Sequence, residues 1–209
     1  MGEILRAFFL ASLILLSGVQ DRESLRFRYS WEQGLDDSCG LQALACLLGL
    51  YWADPVDEVG LALGLGEGDP RTQAGVSLGD LGRLAASRGY LWEAYELGFG
   101  ELERAVELYP PILVHYDRPQ GHFALVLALV DKAEADSVLV VADPASGLQV
   151  LAREDFLRRW SGHVLLIRKP GASVPSPAQA EALEQAIQAA LGPVGLLEAR
   201  PWKGLGRLR

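Results

Sequence analysis

Gln33-Gly-Leu-Asp-Asp-Ser-Cys39-Gly40, running straight into Leu41-Gln-Ala-Leu-Ala-Cys46-Leu-Leu-Gly-Leu-Tyr51, is the stretch on which the fold turns. Short polar residues before a long apolar run mark a helix N-terminus, and Asp36, Asp37 and Ser38 supply that signal here. The segment 39–51 is apolar on nearly every side, so the helix is expected to be buried. Cys39 falls in its first turn, where the backbone N–H groups and the helix dipole favour negative charge. Because the thiolate is the reactive form of cysteine, this position activates Cys39 as a nucleophile. Gly40 is expected to leave space beside the sulfur for an acyl substrate. Gln33, six residues earlier, ends a strand-like stretch (25–31) and can fold back to donate its amide to a developing oxyanion.

Outward from this core, a short helix restarts at Asp54-Pro55 and runs to about residue 63, before a Gly-rich segment, 64–75. Residues 77–88 read as an amphipathic helix with Ser77 as cap, Asp80 at its third position and Gly89 as its stop. A strand at 91–95 and a helix at 100–108 follow, closed by Pro110-Pro111. Strands are then expected at 112–116, 122–130, 138–142 and 164–168, with a helix at 153–160 before the last. Helices first and strands later indicate an α+β domain.

His122 opens one of these strands and Asp143 closes another. If the two form a hairpin through residues 131–136, facing residues have numbers summing to about 267. Asp143 then lies within about two residues of the position opposite His122, where a carboxylate orients an imidazole and stabilises its cation. His115 and His163 compete for the role of base, but neither has an acid so placed. Asp143-Pro144 is also a common way to begin a turn.

Gln-x5-Cys-Gly at a helix start resembles the papain-fold cysteine peptidases. The longer run from Gln33 through Asp37-Ser-Cys-Gly-Leu-Gln-Ala-Leu-Ala-Cys-Leu-Leu48 is similar to the bacteriocin-processing peptidases, which cleave double-glycine leader peptides. The likeness continues through Gly75-Val-Ser-Leu-Gly-Asp-Leu81, Arg88-Gly-Tyr90, Pro111-Ile-Leu-Val-His115, Gly121-His-Phe-Ala-Leu-Val-Leu127 and Val141-Ala-Asp-Pro-Ala-Ser-Gly147, ending with Phe156 and Trp160-Ser-Gly162. It covers about residues 28–168. The resemblance implies a papain-like fold, with a helical N-terminal part whose buried catalytic helix packs on an antiparallel sheet. It also implies the triad Cys39, His122 and Asp143, with Gln33 as oxyanion donor. Two other readings stay open: a catalytically silent domain that binds peptides in the same cleft, and a papain-fold acyltransferase or amidase.

Composition sets further bounds. The 209 residues carry a net charge of −8 and 50% hydrophobic residues, which suits one globular domain and gives no electrostatic reason to bind nucleic acid. Cys39 and Cys46, on one helix, are about 10 Å apart along its axis, beyond the roughly 7 Å a disulfide tolerates. His115, His122 and His163 are scattered, so neither a metal nor a cofactor is expected. Residues 1–20 stand apart, with a polar start and an apolar run at 7–19, too short to span a bilayer comfortably but suited to a secretory signal. They read as a signal peptide or N-terminal anchor, which makes the expected protein exported (periplasmic, cell-surface or secreted). Membrane association would run through that segment. The peptidase domain is expected over 25–168. Residues 169–209 then form a linker, a helix from Ser176-Pro177 to about 191, and a basic tail with Arg200, Lys203, Arg207 and Arg209. The expected partner is a peptide or protein substrate, processed from a leader or trimmed from a secreted protein.

Overall fold

The computed structural model describes residues 27–34, 38–66, 75–118, 120–132, 135–172 and 176–198. The expectations for residues 1–20, for Asp36 and Asp37, for most of the Gly-rich segment (67–74) and for the basic tail lie outside the described residues.

The apolar run after Ser38 forms helix α1 (Cys39–Cys46), which widens into a π-helical turn at Leu47–Tyr51. Its residues from Leu41 to Leu48 are buried almost completely, as the all-round apolar pattern predicts. Ser38 precedes the helix without capping it through its side chain. Helix α2 (Glu58–Leu63) starts later than Asp54-Pro55 suggested, because the Asp57 carboxylate accepts the N–H of Gly60 and caps it. Helix α3 (Leu78–Ser87) carries the predicted reciprocal box between Ser77 and Asp80.

Six strands form one antiparallel sheet: β1 (Leu91–Glu96), β2 (Ile112–Tyr116), β3 (His122–Lys132), β4 (Ala135–Asp143), β5 (Gly147–Ala152) and β6 (Trp160–Arg168), in the order β1-β6-β2-β3-β4-β5. Helix α4 (Phe99–Leu108) precedes β2, and α5 (Arg153–Leu157) is shorter than the predicted helix because β6 begins already at Trp160. Helix α6 (Pro177–Glu198) follows the linker. Its start is closed by Ser176 and Gln179, the Gln179 N–H reaching the Ser176 hydroxyl and its amide oxygen accepting the Ser176 N–H.

The sheet is covered on both faces. Leu41, Leu44 and Leu48 of α1 and its π-helical turn pack with Leu81 and Leu84 of α3, Leu183 and Ile187 of α6, and Leu125 and Leu127 of β3. Leu102 and Val106 of α4 and Phe156 of α5 close the opposite face over Val114, Ala124, Val126 and Val141. The alternation along β3 therefore sorts side chains between two cores, as a fully covered strand requires. The fold is α+β, with a buried helix on an antiparallel sheet.

Two strand expectations need correction. Residues 27–34 form no strand; they run along α1, and the Tyr29 carbonyl accepts from the Cys46 thiol and the Tyr51 hydroxyl. The alternation there reflects Tyr29 and Trp31 packing inward. Strand β5 was not anticipated; it is a short edge strand along β4, from Asp143↔Gly147 to Val138↔Ala152.

Candidate active site

Cys39 is partly exposed at the first position of α1, where the backbone N–H groups of the first turn have no partner within the helix. Gly40 serves packing as well as lining the cleft beside Cys39. A Cβ there would lie 2.6 Å from Val76 Cγ2 and 2.9 Å from Phe123 Cδ2, so the missing side chain lets α1 close onto the sheet. The opening is beside this contact: a cleft of about 350 Å³ lined by Cys39, Gly40, Gly75, Val76, Ser77, His115, Gly121 and Phe123. Gly75 and Gly121 belong to segments that flank the site in sequence, and both reach the cleft wall.

The β3–β4 hairpin pairs as expected near the site. Leu125 faces Ala142 and Val126 faces Val141, pairs that satisfy the predicted sum, before a bulge shifts the register at Ala128. One step further puts Asp143 opposite Ala124, diagonal to His122. His122 Nε2 lies 3.0 Å from Asp143 Oδ1. The same Oδ1 accepts the N–H of Ala145 at 2.8 Å and of Ser146 at 3.2 Å. The two readings of Asp143 thus coexist, because one oxygen both builds the β4–β5 turn and holds the imidazole.

With Nε2 engaged by Asp143, Nδ1 is the ring nitrogen left for a second partner, and Cys39 is the other group whose interaction raises His122. Burial opposes charge on the ring, yet the hydrogen bonds and charges of Asp143 and Cys39 outweigh it and raise His122 from its ordinary value to about 9. Burial likewise pushes Asp143 up, but His122, the Ala145 N–H and the Ser146 side chain hold it below the usual carboxylate range. Tyr116 stacks on His122 with ring centroids 6.1 Å apart, and is itself braced edge-on by Phe156. Cys46 is of a different kind: fully buried, its thiol is pushed up to about 12 by desolvation, against a backbone hydrogen bond from Trp31. It is an inert core residue.

Gln33 enters the site through its backbone, its N–H donating to the Pro144 carbonyl at 3.1 Å, next to Asp143. Its side-chain Oε1 is buried without a hydrogen-bond partner among the described residues. A residue that the sequence did not mark fixes both ends of the segment between Gln33 and Cys39. The buried carboxylate of Glu58, at the start of α2, accepts the Gly34 N–H on Oε1 at 2.9 Å and the Ser38 hydroxyl on Oε2 at 2.8 Å. In sequence Glu58 is only an acidic residue in a helix's first turn, and no spacing rule ties it to Cys39. Glu58→Ala removes both acceptors. It should cost about 1–3 kcal/mol of stability by denaturant melting, with Glu58→Gln intermediate because it keeps one acceptor oxygen. A melting midpoint unmoved in Glu58→Ala would mean that the two contacts are not held in solution.

Among the described residues, no group of three or more His, Cys, Asp or Glu side chains is placed to hold a metal ion, and no helix is long and apolar enough to cross a membrane. His115 Nδ1 and His163 Nδ1 both lie against the Ser161 hydroxyl.

A model of the peptidase C39 family matches residues 28–172. Two curated proteins named probable functional amyloid protease FapD are similar. The one from Pseudomonas fluorescens is 33% identical over 163 residues, 76% of this chain and 68% of that protein. The one from Pseudomonas aeruginosa is 32% identical over 153 residues, 71% and 64% respectively. Among solved structures, a double-glycine-motif protease from an AMS/PCAT transporter, crystallised with the leader peptide, superimposes with a TM-score of 0.55 at 21% identity, over 67% of this chain and 90% of that one. The peptidase domain of Streptococcus ComA, a bifunctional ABC transporter in a quorum-sensing pathway, gives 0.54 at 16% identity, over 68% and 98%. At these identities the two crystal structures share the fold.

Proposed function

The chain belongs to the peptidase C39 family, and we propose that it is a cysteine endopeptidase with Cys39 as nucleophile, His122 as acid and base, Asp143 as the group that orients the imidazole, and Gln33 as oxyanion donor. The observation that carries this reading is the juxtaposition of Cys39, at the first turn of a buried helix, with His122, which pairs with Asp143 and is raised by both groups. A thiol paired with a raised imidazole passes its proton to the ring and meets the substrate as a thiolate.

In the first step the Cys39 sulfur attacks the peptide carbonyl carbon and its oxygen becomes an oxyanion, held by the Gln33 amide and the Cys39 backbone N–H. His122 gives its proton to the leaving amine nitrogen, the C–N bond breaks, and a thioester remains. Water then attacks the thioester while His122 takes its proton, and the thiolate departs. No cofactor takes part in these steps.

For the substrate, the likeness to the proteins named functional amyloid proteases favours an amyloid-forming protein. The apolar run at residues 7–19 fits an exported enzyme held at or released from the membrane. The test is selective alkylation. In a Cys46→Ser background, iodoacetamide should modify Cys39 at neutral pH about tenfold or more faster with His122 than in His122→Ala, and modification should end hydrolysis. Alkylation indifferent to His122 would point instead to a peptide-binding domain of the same fold.

A further inference from the structure

His115 takes no part in the reaction just described, yet it lines the cleft beside Cys39. Its place comes from an irregularity in the sheet. Strand β2 pairs with β6 at Val114↔Val164 and Tyr116↔Trp160, and between them β6 bulges through Ser161-Gly162-His163, with Gly162 at φ +86°. Bulges break the ladder and re-aim side chains. Here the Ser161 hydroxyl fills the gap by donating to the His115 carbonyl at 3.0 Å.

That donation fixes the imidazole. Ser161 has one hydroxyl proton and spends it on the carbonyl, so its oxygen can only accept from the ring nitrogen His115 Nδ1, 3.0 Å away. The His163 N–H donates to the same oxygen at 3.3 Å, and His163 Nδ1 lies 3.2 Å from it. The proton assigned by this network sits on Nδ1, which leaves Nε2 as a bare acceptor. Nε2 is on the ring edge turned from Ser161, 3.4 Å from where a Cβ of Gly121 would stand, and Gly121 also lines the cleft. The ring leans on Phe123 with centroids 5.0 Å apart. Burial holds His115 below its ordinary value, with His163 and His122 acting in the same direction and Asp117 against it, so the ring is neutral at pH 7.

His122 must reach the leaving amine, so the amine side of the scissile bond lies toward His122. The cleft is walled by the α1 start, residues 75–77, His115, Gly121 and Phe123, without His122. We propose that His115 is a specificity residue for the peptidase reaction, its Nε2 accepting a backbone N–H of the acyl-side residues as the peptide lies in the cleft beside Cys39. The inference rests on the peptidase reading above.

The test uses a small peptide electrophile in place of the unidentified substrate: acetyl-Gly-Gly chloromethyl ketone, which Cys39 alkylates with loss of chloride, and two analogues each N-methylated at one glycine. On the full chain, N-methylation of one of the two nitrogens should lower the second-order inactivation rate about three- to tenfold. His115→Phe keeps the packing on Phe123 but has no acceptor. It should lose the same factor with the parent compound and show no further N-methyl penalty. His115→Gln, whose amide oxygen restores an acceptor, should recover the penalty. Iodoacetamide should react equally with all three proteins, since the thiol itself is untouched. A penalty of the same size in wild type and His115→Phe overturns the proposal, as does no penalty at either nitrogen in the wild type. Iodoacetamide reactivity that ignores His122 instead overturns the peptidase reading and this proposal with it.

Discussion

Cys39→Ala should give a folded protein with no measurable hydrolysis, a loss on the order of 10⁵-fold or more in kcat. His122→Ala should cost nearly as much, and the double variant little more. The reason is that in the proposed mechanism the two groups act as one device, so removing either disables the same step. Alanine is a good helix former and Cys39 is only partly buried, so the helix and its packed side from Leu41 onward remain in place. A second readout comes from pH. His122 is raised above its unfolded value partly by Cys39, so the stability it contributes is full below about 6.5 and is lost as pH rises through about 9. Cys39→Ala removes one cause of that shift and should flatten the fall in melting midpoint between these pH values. Hydrolysis unchanged in Cys39→Ala would rule out the assigned nucleophile.

Why the juxtaposition of the candidate residues is legible in the sequence, while that of their neighbours is not, follows from how each is held. Cys39 is placed by a local signal, polar residues before an apolar helix. Asp143 is placed against His122 by the period of a single hairpin, and a bulge at Ala128 leaves the register near the site intact. Glu58, Tyr116 and Ser161 are held by tertiary contacts across 20 or more residues in the case of Glu58 and 46 in the case of Ser161. No spacing in the chain announces such contacts.

The errors have physical causes of the same kind. Residues 27–31 alternate because Tyr29 and Trp31 pack inward, and a strand pattern is indistinguishable from that at so short a length. Asp54 was read as a helix start, but its carboxylate pairs with Arg88 and accepts from the Tyr90 hydroxyl, joining the α2 approach to the end of α3. The start of α2 falls instead to Asp57. Strand β5 is an edge with mixed exposure, and its pattern carried no clear period. Gly40, expected to open space for substrate, lines the cleft and also lets α1 lie close to Val76 and Phe123.

The most discriminating variants are at Asp143, because one oxygen carries three contacts. Oδ1 accepts from His122 Nε2, from the Ala145 N–H and from the Ser146 N–H. In Asp143→Asn the two turn N–H groups select the carboxamide oxygen for that place, since an NH₂ group there would face two donors. The oxygen then still accepts from His122 Nε2–H, so the tautomer and ring orientation survive and only the negative charge is lost. Asp143→Asn should therefore cost about 10- to 100-fold in kcat, far less than the loss expected where an amide imposes the wrong tautomer. Asp143→Ala removes the acceptor itself. The imidazole is freed to rotate and the β4–β5 turn loses two hydrogen bonds, for a loss on the order of 10³-fold in kcat and about 2 kcal/mol of stability. The pH signs differ as well. Asp143 is held below its unfolded value, so its contribution is present above about 3.8 and is lost as pH falls through the lower folded value. Both variants should abolish that acid-side loss. Both should also bring His122 down from about 9, moving the alkaline limb of the pH–rate profile toward neutrality. If Asn proves as damaging as Ala while the β4–β5 turn keeps its stability, Asp143 acts on His122 through its charge rather than by holding the ring.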